Sequence, residues 1–363
     1  MFAPKFRITS SITTALMSVE ADRQVIMELP IDVEMLGSLR ETAKLAATHY
    51  STQIEGNRLT QIQVQETLAG AHFPGRERDV SEVRNYYRAI EEVERLAKPL
   101  APLTEEDIRQ IHGLVLHGRP SPTPYRDEQN VIRDSVSGGI VYMPPEAKDV
   151  PELMRDLVAW VNGELEQGET PAPIIAALAH YQYATIHPYY DGNGRTARLL
   201  TTLILHRAGY GLKGIYNLEE YYAQNLPGYY QAMDVGASHN YYFGRVEADV
   251  TEFIAYFCQG MAQAFAAVRT QAMNAAGRGA HDRSPLLRRL DPRKRRLLDL
   301  FRKHGTVTTA EIAAHLGLSP RTIVALSRDW LKDGFLTLHD PSRKNRSYGL
   351  GQDYERLIVD EGR

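Results

Sequence analysis

Apolar residues recur at helical spacing along most of the chain. Over residues 33–52, Leu36, Leu39, Ala43, Ala46, Ala47 and Tyr50 fall on one helical face. A break at Gly56-Asn57 ends that segment, and a further helix is expected after Leu59. An amphipathic stretch from Val80 to Leu96 is closed by the proline-marked KPLAPLT. Thr104 then opens the next helix as N-cap, with Asp107 three residues on, close to a capping box. Residues 118–130 read as loop, and two short runs around Gly138-Gly139 predict a β-hairpin over about residues 131–143. Helical spacing returns from Val150 to Leu165, from Ala172 to Ile186 and from Arg195 to Ala208, where Gly209 stops it. After Tyr229-Tyr230 it runs to about Asn274.

The stretch AAGRGAHDRSP (275–285) has no periodicity and is rich in glycine and charge, which predicts a linker. Beyond it the pattern is helix, helix, tight turn, helix. Ala310 to Leu316 and Pro320 to Lys332 flank the turn Gly317-Leu318-Ser319, and Pro320 at the first helical position after Ser319 is a sound helix start. Gly334 ends the second helix, and FLTLHDPSRKNRSYGLG predicts a two-strand wing with a basic tip.

Composition narrows the class without deciding it. Apolar residues make up 43% of the 363 and charged residues 24%, as in ordinary globular proteins, which argues against a disordered or fibrous chain. The single cysteine, Cys258, rules out an intrachain disulfide framework and a cysteine-based zinc site, and its apolar helical neighbours predict a buried small hydrophobe. The N-terminal stretch lacks the apolar core of a signal peptide, and no apolar run reaches the ~18 residues of a membrane span, so a cytoplasmic protein without membrane contact is expected. The net charge of −3 conceals an asymmetry: from Ser284 onward there are sixteen Lys and Arg against ten Asp and Glu. A basic tail on an acidic body suggests a separate partner for the tail, with nucleic acid as one candidate.

The chemistry concentrates in His187-Pro188-Tyr189-Tyr190-Asp191-Gly192-Asn193-Gly194-Arg195-Thr196-Ala197-Arg198. Gly192 and Gly194 let consecutive backbone N–H groups converge on an anion, and the following helix adds its positive end, which together make a phosphate cradle. Arg195 and Arg198 are helical neighbours that can reach phosphate oxygens. Asp191 is a hard oxygen ligand suited to a Mg2+ that bridges phosphates. His187 has the pKa range of a general base. A base, a metal ligand and an anion nest together point to phosphoryl or nucleotidyl transfer.

This stretch resembles the Fic family motif, HPFx[DE]GNGRxxR, with Tyr189 in place of the usual Phe. The likeness covers about residues 30–270, and Ala179-His180-Tyr181-Gln182 and Ile186 also resemble the family's approach to the motif. It implies a mainly α, Fic-type helical core at 99–274 with a β-hairpin flap, preceded by a helical region at 1–98 and followed by a winged helix-turn-helix domain at 286–363. It implies adenylylation, the movement of AMP from ATP onto a Ser, Thr or Tyr hydroxyl of a protein. In that reading His187 deprotonates the hydroxyl, Asp191 holds Mg2+, and Gly192, Asn193, Gly194 and Arg195 bind the α- and β-phosphates. Arg198 meets the γ-phosphate, and Tyr229-Tyr230 lies near the adenine. The aromatic at 189 packs in the core, so a tyrosine there needs a partner for its hydroxyl. Gly194 favours AMP transfer over phosphate transfer, because family members that move phosphate lack it.

Ser51-Thr52-Gln53-Ile54-Glu55-Gly56-Asn57 resembles the family's inhibitory motif [ST]xxxE[GN]. It implies that Glu55, with Ser51 and Gly56, occupies Arg198 and misplaces ATP; the plainer reading is a helix end with an exposed glutamate. Hydrolytic removal of AMP by the same glutamate stays open. Ile140 and Tyr142 on the flap are expected to flank the target side chain, unless the hairpin is ordinary surface. In the C-terminal unit Arg321, Arg328, Arg343, Lys344 and Arg346 are candidates for DNA phosphates, with dimerisation or target recruitment as alternatives. Self-modification and a homodimer are further partners in view. Two rivals stand beside adenylylation: a Fic transferase with another donor, and a DNA-binding regulator whose core senses nucleotide.

Overall fold

A computed structural model describes residues 2–31, 33–133, 138–278, 290–340, 342 and 346–355. The chain divides into two compact units, Met1–Gly277 and Arg278–Arg363. Four helices open the first unit: α1 (Ser10–Glu28), α2 (Val33–Ile54), α3 (Gln61–Leu68) and α4 (Glu77–Leu96). Gly56, at φ +89°, terminates α2 in the left-handed turn that a side chain resists. Thr60 and Gln63 form a capping box on α3, and Thr104 and Asp107 form the expected one on α5 (Glu105–His117).

The hairpin pairs β1 (Ile132–Arg133) with β2 (Ile140–Tyr142), antiparallel. Residues 134–137 of the expected hairpin lie outside the described residues. Then come α6 (Val150–Gln167), α7 (Ala172–Ile186) and α8 (Asn193–Arg207). Nearly every residue of α7 is buried, as its apolar sequence requires of a central helix. One hydrophobic cluster runs from Ile12 through Tyr86, Ile108, Leu178 and Leu200 to Phe265. Helices α1, α2 and α4 therefore share a core with those carrying the motif, while Val64 of α3 packs with Leu59, Val80 and Val83 in a smaller cluster.

The helical pattern expected from Tyr229 to about Asn274 is interrupted. After α9 (Glu219–Gln224) and α10 (Leu226–Met233) the chain is irregular, apart from one distorted π-helical turn at Tyr241–Arg245, until α11 (Thr251–Arg278). Gly236, at φ +90°, lies against Gly244, and a Cβ there would meet the Gly244 carbonyl oxygen at 2.6 Å, so the turn needs glycine. Helix α11 runs past Asn274 to Arg278, through the start of the expected linker. The remainder of that linker, from 279, lies outside the described residues. Cys258 is buried, and burial pushes its thiol pKa up to about 12.

The second unit is a winged helix. It comprises α12 (Pro292–Lys303), β3 (Val307–Thr308), α13 (Thr309–Leu316), α14 (Pro320–Lys332), β4 (Leu336–Asp340), β5 (Ser347–Leu350) and the short α15 (Gln352–Glu355). The sheet order is β3-β5-β4, so the expected two-strand wing gains a third strand. Leu297, Phe301, Ile312, Ile323, Trp330, Phe335 and Tyr348 form its own core. No helix among the described residues is long and apolar enough to cross a membrane.

Candidate active site

Helix α7 ends at His187, whose backbone is left-handed at φ 51°, ψ 59° and whose N–H donates to the Tyr183 carbonyl at 3.0 Å. A residue with a Cβ resists this conformation by about 1 kcal/mol or more, so surrounding bonds must impose it. Buried Arg126 supplies several. Its backbone N–H donates to the Pro188 carbonyl at 3.0 Å, its Nε to the His187 carbonyl at 3.0 Å, its Nη1 to the Glu128 carbonyl at 3.1 Å, and its Nη2 to the Pro145 carbonyl.

The imidazole of His187 follows from that placement. Nδ1 lies 3.4 Å from the Ala184 carbonyl, which only accepts, so Nδ1 carries the proton and Nε2 keeps its lone pair. Burial pushes the pKa of His187 down to about 4, leaving the ring neutral at pH 7.

Between His187 and α8 the loop is closed by Asn193. Its Oδ1 accepts from the Tyr189 N–H at 3.0 Å and its Nδ2 donates to the Tyr189 carbonyl at 2.8 Å. The Asn193 side chain thus braces the loop. Tyr189 is buried and stacks on His112 with ring centroids 3.5 Å apart, while His112 Nε2 donates to the Asp191 carbonyl at 2.9 Å. Burial pushes His112 down to about 4, so it too is neutral. The partner required for the Tyr189 hydroxyl is not found among the described residues. Gly192, at φ +77°, precedes α8 without a capping side chain, which leaves the first-turn N–H groups for an anion.

The two motif arginines diverge. Arg195 is buried, with Nη2 3.1 Å from Asp191 Oδ1 and Nη1 3.7 Å from Glu82 Oε1, and its Nε has no hydrogen-bond partner among the described residues. Arg198 turns to α2: Nε donates to Ser51 Oγ at 2.7 Å, and Nη2 donates to the Ser51 carbonyl at 2.9 Å and to Glu55 Oε1 at 2.8 Å. Burial opposes the Arg198 charge, but Glu55 beside it prevails and raises the pKa above the ordinary value. Glu55 thus lies just past the end of α2, exposed as the plainer reading has it, and pairs with Arg198. A Cβ on Gly194 would stand 2.3 Å from Glu55 Oε1, so glycine at 194 is what lets that carboxylate sit over the cradle.

Behind Arg198, buried His180 is oriented by two hydroxyls. Thr201 Oγ1 donates to the Ala197 carbonyl at 2.8 Å, so it accepts from His180 Nδ1 at 3.0 Å, and Nε2 then accepts from the Tyr229 hydroxyl at 2.8 Å. Burial first, and Arg198 second, lower the pKa of His180 to about 3. Tyr229 is buried in this network, whereas its neighbour Tyr230 is exposed.

The flap corrects one expectation. Ile140 is exposed, but Tyr142 is buried, donates its hydroxyl to the Thr185 carbonyl at 2.7 Å and lies under the Arg245 guanidinium. It anchors the hairpin and cannot flank a docked side chain; Val141 is the other exposed residue of β2. In the second unit Arg321, Arg328 and Arg346 are exposed, while Arg343 and Lys344 lie outside the described residues. Sequence reasoning missed His112, Arg126 and Glu82. The available signals were weak: an acidic residue on the polar face of α4, a histidine in the apolar run of α5, and an arginine in a polar loop.

Residues 102–205, which include the loop from His187 to the start of α8, match the model of the Fic/DOC family. They form a Fic domain. Beyond this domain, residues 295–329 match a family described as a transcriptional regulator, AbiEi antitoxin. Over 191 residues the chain is 34% identical to the protein adenylyltransferase fic-1 of Caenorhabditis briggsae, a match covering 51% of this chain and 36% of that one. Over 200 residues it is 31% identical to the protein adenylyltransferase Fic of Drosophila willistoni, covering 54% and 38%. The chain thus spans well under half the length of these curated relatives. Among solved structures, a Fic family protein from Desulfovibrio desulfuricans shares the fold over 97% of this chain and 99% of its own, with a TM-score of 0.63 at 23% identity. A Fic-domain signaling protein from Bacteroides thetaiotaomicron matches 74% of this chain and 97% of its own, with a TM-score of 0.61 at 27% identity.

Proposed function

We propose that the protein is an adenylyltransferase that moves AMP from ATP to a Ser, Thr or Tyr hydroxyl of a protein, restrained by Glu55. The arrangement that carries this reading is His187, with Nδ1 facing the Ala184 carbonyl so that Nε2 is left to accept a proton, beside an uncapped helix N-terminus and an Arg195 Nε without a partner among the described residues. A target hydroxyl oxygen attacks the α-phosphorus, the bond to the pyrophosphate oxygen breaks, and the proton passes to His187 Nε2. Backbone N–H groups at the start of α8, with Arg195, stabilise the charge that develops.

The residues fit Mg2+ as a companion of ATP. Asp191 has a half-exposed carboxylate at the loop edge, and Mg2+ is commonly bound through one or two carboxylates with phosphate oxygens completing its shell. The ion would neutralise charge on the phosphates held there. Arg198 would take the γ-phosphate once Glu55 leaves it. Tyr230 is the exposed aromatic of the 229–230 pair and the better candidate for the adenine. Ile140, with the hairpin edge, would meet the target chain by main-chain pairing. AMP transfer by the Glu55→Gly chain, to itself or to a supplied target, is the test.

The pH profile tests the base. Because burial sets His187 near 4, transfer by Glu55→Gly is expected to stay flat from pH 8 to about 6 and to fall toward pH 4, without a step at 6.5. His112 and His180, pushed down to about 4 and about 3, carry the same sign into stability. The stability they contribute is present above the unfolded value near 6.5 and is lost as pH falls toward their folded values, on the order of a few kcal/mol each. Thermal unfolding between pH 7 and 4 measures it.

A second reading is favoured by the AbiEi match: DNA binding by the winged helix. Helix α14 buries Ile323, Ser327 and Trp330 and leaves Arg321, Thr322, Ala325 and Arg328 outward, as a recognition helix would. Duplex affinity is then expected to fall steeply with salt, and Arg321→Ala/Arg328→Ala to flatten the log–log slope by about two. Binding with unchanged slope would remove these residues from the interface.

A further inference from the structure

The first two turns of α4 form a wall of the site. Glu82 stands there with its side chain 12% exposed, its Oε1 3.7 Å from Arg195 Nη1. The same oxygen accepts from Arg78 Nε at 3.0 Å, and Oε2 accepts from Asn57 Nδ2 at 3.2 Å. Asn57 is two residues beyond Glu55. Its amide also donates to the Asp79 carbonyl at 3.0 Å, and its Oδ1 accepts from the Leu59 N–H at 3.1 Å. One carboxylate therefore touches both the turn that carries Glu55 and the motif arginine.

Arg195 is flanked by two carboxylates of unlike accessibility: Asp191, 55% exposed, and Glu82. Asp191 Oδ1 already accepts from the Gly192 N–H at 2.6 Å and from Arg195. Were Asp191 to hold Mg2+, its carboxylate would be withdrawn from Arg195, whose positive charge would be repelled by the ion. Arg195 would then be left with Glu82 as its remaining carboxylate, while its unpartnered Nε awaits a phosphate oxygen.

We propose that Glu82 is a positioning residue. It holds Arg195 against the phosphate cradle when Asp191 turns to the metal, and its bond to Asn57 ties that hold to the turn bearing Glu55. The reaction it serves rests on the adenylyltransferase reading; the magnesium-dependent hold on Arg195 does not.

The test uses the full chain carrying Glu55→Gly, with and without Glu82→Gln, titrated calorimetrically with ADP in Mg2+ or in EDTA. Glutamine keeps an acceptor for Asn57 and removes the charge. Affinity in Mg2+ is expected to fall at least about fivefold, and in EDTA to stay within about twofold, because Asp191 still holds Arg195 there. Glu82→Asp, which restores the charge, is expected to recover part of the magnesium-restricted loss. Asn57→Ala is expected to reproduce it at smaller size, and affinity equal to the parent's would sever the link to the Glu55 turn. An equal loss in both media would make Glu82 merely structural and overturn the proposal, as would no loss in either, or no ADP binding by any variant. If the magnesium-restricted loss is present but the parent transfers no AMP, the adenylyltransferase reading falls and the role of Glu82 stands.

Discussion

Glu55→Gly is expected to transfer AMP at least about a hundredfold faster than the wild-type chain, because in the reading proposed above the contact it removes occupies the arginine that would meet the γ-phosphate of ATP. The Glu55–Arg198 pair measures 2.8 Å, with the arginine side chain 1% exposed and the glutamate 32%, so water screens it from one side only. Removing one partner of a buried, hydrogen-bonded charge pair costs about 2–5 kcal/mol, a half-open pair sits at the lower end, and each 1.4 kcal/mol is a factor of ten in rate. The same change leaves Arg198 buried with Ser51 as its remaining α2 partner, so the variant is expected to be less stable by about 1–3 kcal/mol without nucleotide. Saturating Mg-ATP should raise its melting temperature more than that of wild type, since in the proposed reading the γ-phosphate would replace the missing carboxylate. Intact mass after incubation with Mg-ATP, alone and with a candidate target, reads the first effect, and differential scanning fluorimetry the second. Equal transfer by both chains would remove Glu55 as the restraint.

His187→Ala in the Glu55→Gly background is expected to abolish transfer, by about a hundredfold to ten-thousandfold, the usual worth of a positioned general base. Nucleotide affinity should change little. The cradle is built from the start of α8 and braced by Asn193 and His112, and the Arg126 bond to residue 187 goes to its carbonyl, which alanine retains. The alanine has to adopt the same φ near +51° that the histidine already adopts, so the backbone strain is common to both chains. His187→Asn keeps a polar group while lacking a proton acceptor of suitable basicity. Transfer retained in both variants would assign the proton to another group.

What the sequence could tell follows from where the chemistry lies. The base, the loop glycines, the metal-ligand candidate and both arginines fall within twelve residues, and a loop followed by a helix start dictates most of their geometry locally. The core helices were legible because their apolar stripes are long. Helix α1, in which Ser, Thr and isolated apolar residues mix without a clean stripe, was not singled out. The pairing of Glu55 with Arg198 joins residues 143 apart, and only the resemblance of two short motifs linked them. Arg126, His112 and Glu82 act through tertiary contacts that leave no local pattern. Tyr142 shows the limit from the other side. In a strand of three residues alternation cannot say which face is inward, and Ile140 and Val141 are both exposed while Tyr142 is buried.

The carboxylate that sits on Arg198 belongs to the same compact unit as the cradle it covers. Under the restraint proposed above, tethering would make it a competitor whose local concentration is set by chain geometry, typically in the millimolar range or above, and not by how much protein is present. Dilution cannot relieve it. The degree of restraint is therefore expected to depend on the ratio of free ATP to that fixed effective concentration, and to shift only when a partner pulls α2 away or when nucleotide levels change.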